Sequence, residues 1–297
     1  MDMTFPVIFS SAARIISLVV LTCLLQACSS AKLAYNQAPE LAYWYLDGYV
    51  NFSSGQSVQV KDDLNKLQTW HRQTQLPTYI DMLQKMQQKI PLDINTQDAC
   101  SILTDVRRKF MVVSDQAQPT VVTMLDTMTS NQIDTLARKF EKSNADFRND
   151  YMQSAKPVNQ TKRYKQSVSR AEMLYGRLDD EQMSLIALQV EKSSFSAPLA
   201  YAERQRRQQD TLQTLRTLLK NQSTSEQKKL AVRSLFERSF MSPNPVYAEY
   251  IDALTKESCA NLAGFHNTTS IGQRRKAIEK LMGYEQDMRT LSMQSNG

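Results

Sequence analysis

The stretches Met128-Thr129-Ser130-Asn131-Gln132-Ile133 and Leu178-Asp179-Asp180-Glu181-Gln182-Met183 decide the fold class. In each, a short oxygen-bearing side chain stands three residues before a Gln. That spacing is a capping box. The Thr or Asp oxygen accepts from the backbone N–H three residues on, and the Gln amide reaches back to the N–H of the cap. Met128 with Ile133, and Leu178 with Met183, bracket the caps as hydrophobic staples. Thr224 with Gln227 and Ser270 with Gln273 carry the same signature, so four helix starts recur at spacings of 50, 45 and 46 residues. A repeated two-helix unit of about 45 residues would produce this pattern. Four independent caps in a long helical chain would produce it equally well.

Between the caps the apolar residues keep helical spacing. Val60, Leu64, Leu67 and Trp70 form one set, Met82, Leu83, Met86 and Ile90 another, and Ile102, Leu103, Val106 and Phe110 a third. Sets of the same kind follow through Ile133–Phe147, Leu185–Val190, Leu212–Leu219, Val246–Leu262 and Ile278–Met282, and no period-two run appears. Gly48, Gly55, Pro77, Pro91, Pro119, Pro157, Gly176, Pro198, Pro243 and Gly264 read as punctuation between segments. The chain of 297 residues holds only 7 glycines. Phosphate loops and dinucleotide-binding crossovers need glycine for positive φ and close backbone approach. A nucleotide-binding α/β fold is therefore excluded, and the expectation is an all-α multi-helix bundle or stack of helical hairpins.

At the N-terminus, Ile15 to Leu25 is an apolar run of signal-peptide length, too short to span a bilayer. It ends in Leu25-Gln26-Ala27-Cys28, which resembles the lipobox of bacterial lipoproteins. The resemblance implies cleavage before Cys28 and acylation of its thiol and new amine. Two or more acyl chains make membrane attachment stable. Ser29 after the Cys implies the outer membrane, facing the periplasm, by the sorting rule of Gram-negative lipoproteins. The expected organisation is a signal peptide over 1–27, a lipidated linker over 28–34 and one α-helical periplasmic domain over 35–297. Arg14 is the only basic residue of the leader, and Asp2 offsets it.

Cys100 and Cys259 are then the two remaining cysteines of a mature chain in an oxidising compartment, which predicts one disulfide between them. Neither they nor the isolated His71 and His266 have metal-ligand spacing. No metal and no cofactor are expected. Net charge is +6, with short basic runs at Arg107–Lys109, Lys162–Arg163, Arg204–Arg207 and Arg274–Lys276. A periplasmic chain meets no nucleic acid. These runs read as solvated helix faces, or as attraction to anionic lipid and acidic polypeptide.

Two resemblances add to this. The elements at Met128–Gln132 and Leu178–Gln182 are similar to the LTxxQ element of the periplasmic Spy and CpxP proteins, which implies a client-cradling, chaperone-like role. Lys32-Leu33-Ala34-Tyr35-Asn36 and Leu41–Val50, with its Tyr43-Trp44-Tyr45-Leu46-Asp47, resemble the start of an uncharacterised proteobacterial lipoprotein family. That resemblance implies a lipobox and an all-helical body, and no activity. Tyr43, Trp44, Tyr45 and Tyr49 suit a headgroup-level collar or a docking surface, since Tyr and Trp are apolar at one end and polar at the other. An amphipathic helix burying its rings in the core gives the same pattern.

Catalytic signatures are sparse. Ser225 and Lys228 have SxxK spacing without the partner motifs of penicillin-recognising enzymes. Glu257-Ser258 resembles the Glu-Ser pair of lytic transglycosylases, which implies Glu257 as general acid, but the Gly-Leu-Met-Gln segment of that family is not found. The expectation is a non-enzymatic binding module, anchored through lipid on Cys28, whose partners are unfolded or envelope proteins. An assembly partner of an envelope complex is the alternative, and a peptidoglycan lytic enzyme a further one. Mass spectrometry of the native polypeptide should find a mature chain starting at an acylated Cys28. An intact leader, or a bare Cys28, would overturn the anchoring.

Overall fold

The computed structural model describes residues 29–153 and 156–294. The signal segment and Cys28 lie outside the described residues. Within them the chain is all-α, without strands. Two short helices come first, α1 (Ser29–Asn36) and α2 (Ala38–Val50). Then α3 (Ser54–Trp70) runs through a π-helical turn (His71–Gln75) into α4 (Leu76–Lys89), and α5 (Thr96–Leu125) returns alongside. Next are α6 (Ser130–Arg148), a second π-helical turn (Asn149–Gln153) and α7 (Lys156–Tyr175). The remainder is α8 (Asp180–Lys192), α9 (Ala197–Lys220), α10 (Ser225–Phe240), α11 (Pro245–Asn267) and α12 (Ile271–Met293). At 1.5 Å per residue the rod from Ser54 to Lys89 is about 54 Å long. It links two separate cores.

One core joins Val122 and Leu125 of α5, Ile133 and Leu136 of α6, Leu215 and Leu218 of α9, and Val232 of α10. The other joins Leu83 and Ile90, Tyr175, Leu178, Ile186 and Val190, Phe265, Ala277 and Leu281. Beside the second core, the start of α5 and α11 approach over small side chains: Ala99, Cys259 and Ala263 are buried there. The disulfide Cys100–Cys259 closes on this contact, with the Cα atoms 5.1 Å apart.

Each core carries a knot of two capping boxes. Ser53 caps α3 and Thr129 caps α6, both with complete boxes. The two N3 glutamines then face each other: Gln56 Nε2 donates to Gln132 Oε1 at 3.3 Å, and Gln132 Nε2 to Gln56 Oε1 at 2.6 Å. Asp179 and Ser270 cap α8 and α12 in the same way. Gln182 Nε2 donates to Gln273 Oε1 at 2.9 Å, and Gln273 Nε2 returns a bond of 2.8 Å. The register is shared by all four. Every amide also donates to the carbonyl two residues before its partner's cap: Gln56 to Thr127, Gln132 to Asn51, Gln182 to Thr268 and Gln273 to Arg177.

This revises two expectations. The caps do not mark a tandem unit of about 45 residues. The Ser53 box, absent from that count, pairs with Thr129, and Asp179 pairs with Ser270, whereas the Thr224 box closes only on itself. Of the Gly and Pro residues read as punctuation, only Pro91, Gly176 and Pro243 stand between helices. Pro198 sits in the first turn of α9, where no N–H is required, while Pro77 follows the π-helical turn and Pro119 lies inside α5. Gly176 ends α7 at φ +76°, and a Cβ there would meet the Lys276 side chain at 3.0 Å.

The third apolar set also turns outward. Leu103, Val106 and Phe110 are exposed on α5, and Phe110 packs edge-on against Phe240.

Gln182 is 2% exposed, so removing its amide strands the bonds of Gln273 and of the Asp179 cap. Gln182→Leu should cost about 2–4 kcal/mol in urea unfolding. Adding Gln273→Leu should cost less than the sum of the two single changes, because both members of the pair are then gone. Additive costs would show that the two amides act separately.

Candidate functional site

The aromatic segment of α2 does not act as one unit. Tyr43 turns toward α3: its hydroxyl donates to Ser57 Oγ at 2.9 Å, its ring stacks on Phe52, and Lys61 Nζ lies 4.4 Å from the ring centre. Trp44 points outward, 69% exposed, and donates to Glu40 Oε1 at 3.0 Å. Tyr45 and Tyr49 pack on each other at 5.1 Å, and Tyr49 continues onto Phe140 of α6 at 6.2 Å. These last two enter a groove.

The groove has a volume of about 530 Å³ and runs between α2, α6 and α9, with Tyr247 of α11 at its edge. Its apolar walls are Tyr45, Leu46, Tyr49, Leu136, Phe140 and Tyr247, and Arg204 and Arg207 enter from α9. The fold thus brings together two features that lie about 160 residues apart in sequence: the aromatic helix and the 204–207 basic run.

The charges around the groove are unevenly paired. Glu203 is 3% exposed and accepts from Arg206, from Arg207 Nε at 2.8 Å and from Ser242 Oγ at 2.9 Å. Burial pushes its carboxyl up, but the guanidinium and hydroxyl bonds outweigh this and hold it below the usual carboxylate range. Asp210 takes a two-pronged bond from Arg238 on α10, at 2.8 Å on each oxygen. Arg204 differs. Its guanidinium bonds only neutral groups, Asn144 Oδ1 at 2.9 Å and the Ser143 hydroxyl, and packs near Phe147. Among the described residues it has no carboxylate partner, so its full charge stands at the groove wall, close enough to act on the Tyr45 phenol.

A second hollow of about 490 Å³ lies between α7, α8 and α11, and Glu257 lines it. Its carboxylate accepts from the Ser194 N–H at 2.8 Å and the Ser194 hydroxyl at 2.6 Å. Burial pushes Glu257 up, but bonds from Ser193 and Ser194 and the charge of Arg163 bring it below its usual value. A general acid of a glycosidase needs the opposite shift. Of the SxxK pair, Ser225 is exposed and the Lys228 ammonium pairs with Asp126.

Both histidines are tied down. His71 sits between the hydroxyls of Tyr35 and Tyr79 at 2.9 and 3.1 Å. His266 bonds the Tyr175 hydroxyl at 2.7 Å and the Leu92 carbonyl at 2.9 Å. Among the described residues no group of three His, Cys, Asp or Glu side chains could hold a metal ion. No helix among them is long and apolar enough to cross a membrane.

The profile of a family of unknown function (DUF6279) matches residues 48–244. The chain belongs to this family. The family's span holds Tyr49, Phe140, Arg204 and Arg207 of the groove, and it ends before α11 and α12. It begins at Gly48, so it starts inside the 41–50 segment that carried the resemblance to an uncharacterised family. No curated protein and no solved structure matches the chain.

Burial lowers the pKa of His266 and of His71, so the unfolded chain binds protons first as pH falls. Stability should be complete above about pH 7 and drop below the ordinary imidazole pKa, by up to about 1.4 kcal/mol per pH unit for each ring. Urea midpoints measured between about pH 7 and pH 5 check this. His266→Gln should flatten the slope, and an unchanged slope would contradict the assignment.

Proposed function

We propose that this chain is an outer-membrane-anchored, periplasm-facing lipoprotein whose helical body binds polypeptide without transforming it, in a chaperone-like or envelope-homeostasis role. The single observation that carries the binding reading is the aromatic groove with the unneutralised Arg204 in its wall. Apolar walls with a few convergent polar groups are the usual form of a ligand site. Aromatic and Arg side chains are also those over-represented where proteins bind proteins. An extended segment with an apolar side chain and a nearby carboxylate satisfies both halves of this groove.

The lipobox Leu25–Cys28 supports the anchor, and the disulfide supports an oxidising compartment. An anchor of this kind leaves a folded body held near a membrane, where emerging or misfolded envelope proteins pass.

A photo-crosslinking residue in place of Tyr45, 67% exposed at the groove edge, tests the reading in cells. Capture of many partly folded envelope proteins is the expected result. Arg204→Glu should reduce that capture at least several-fold; it also removes the donor to the buried Asn144 Oδ1, at a cost of about 1–3 kcal/mol, so native far-UV dichroism of the variant is the control for folding. One stoichiometric partner would favour the assembly reading instead. No capture at all would overturn polypeptide binding in the groove.

A further inference from the structure

The hollow between α7, α8 and α11 is not explained by polypeptide binding in the groove, since the two share no lining residue. One face of α7 supplies Arg163, Gln166, Ser167, Arg170, Ala171 and Leu174 to it. The opposite walls are Ile186 and Val190 of α8 and Leu254, Leu262 and Phe265 of α11. α8 packs against both α7 and α11 and forms the floor. The result is a trough with a carbon-lined interior and polar groups gathered along α7.

Arg163 is the anomaly. It is half-buried, stacked 4.7 Å from the ring centre of Phe195, and burial works against its charge. Yet it makes no hydrogen bond or ion pair of contact length with any described residue. A guanidinium offers five N–H donors, and leaving them unmet away from bulk water is costly. Glu257, the carboxylate whose charge reaches it, is committed to Ser194. Arg170 lies two turns further along the same face of α7, exposed at the rim and, among the described residues, equally without a carboxylate.

On the far walls polar side chains are already engaged, Glu257 with Ser194 and Ser258 with the Leu254 carbonyl. Gln189 Nε2 donates to the Asn261 carbonyl at 3.1 Å, which ties α8 to α11. A peptide laid over Leu174, Ile186, Val190, Leu262 and Phe265 would bring backbone N–H and C=O groups against a wall of carbon. An alkyl chain brings none. From Arg163 to Tyr175 the trough follows α7 for about 18 Å, long enough for an extended acyl chain.

We infer that this cleft binds an amphiphile with a single alkyl chain and an anionic head, the head held by Arg163 with Arg170 at the rim, and the chain laid over Leu174, Ile186, Val190 and Phe265. The site is independent of the groove and of the lipid on Cys28. A free fatty acid and an anionic lysophospholipid share the required chemistry.

The test uses the full chain carrying Cys28→Ser, so that no acyl group of its own competes. Titration with 11-(dansylamino)undecanoic acid, followed by its fluorescence, should show one saturable site. Palmitate or palmitoyl-lysophosphatidylglycerol should displace the probe and hexadecanol should not; which of the two anions competes better identifies the source of the ligand. Arg163→Gln should weaken binding about 10-fold or more, and Ala171→Trp should fill the trough and abolish it. Arg163→Gln, at a half-exposed position and with native far-UV dichroism as control, carries the decision even where Ala171→Trp unfolds the chain. Absence of a saturable site, equal competition by hexadecanol, or native affinity in Arg163→Gln would each overturn the proposal.

Discussion

Two reciprocal pairs of glutamine amides, one buried and one half-buried, organise this molecule. A helix N-terminus leaves N–H groups without intrahelical partners, and burying such an end without satisfying them is expensive. Here four helix ends are brought together two by two, in the neighbourhood of each core. Each glutamine closes its own cap with its carbonyl oxygen, as Gln132 does for Thr129 N–H at 3.0 Å, and spends its amide hydrogens on the opposite cap. The ends that would weaken the fold become its joints. Because the geometry is reciprocal, the entry points of α3 and α6, and of α8 and α12, are set relative to each other.

The hollows follow from where the joints hold the helices. The Gln56–Gln132 knot draws the start of α3 to the start of α6, and α2, just before α3, comes to lie against α6. Its Tyr49 then packs on the edge of that core while Tyr45 stands exposed beside it, and the gap left toward α9 is the groove. At the other end the Gln182–Gln273 knot holds α8 to α12, while α7 and α11 diverge above α8 and leave the trough. The Cys100–Cys259 bond ties the start of α5, whose far end enters the other core, to α11 beside this one.

Much of the helical architecture was legible in the sequence, because capping chemistry is local: four residues contain a whole box. The disulfide was legible because only two cysteines remain after the leader and compartment are read. The pairing of the caps was not legible. Gln132 meets Gln56 across 76 residues and Gln182 meets Gln273 across 91, and no local pattern distinguishes these boxes from the unpaired one at Thr224. Nor could spacing tell which apolar faces are covered: Leu103, Val106 and Phe110 repeat like core residues and stand in solvent. The groove combined two signals already visible, the α2 aromatics and the 204–207 basic run, but only the fold shows that they meet. Glu203 was missed altogether, although its i+3 and i+4 spacing to Arg206 and Arg207 was a usable sign of the network it anchors.

The most direct test of the glutamine joints is native-state hydrogen exchange at the N3 backbone amides. Those of Gln56, Gln132, Gln182 and Gln273 belong to paired caps, and that of Gln227 belongs to a cap with no partner. The account requires the first four to exchange only through global unfolding and Gln227 to exchange faster, through local fraying of α10. Equal and rapid exchange at all five positions would contradict it.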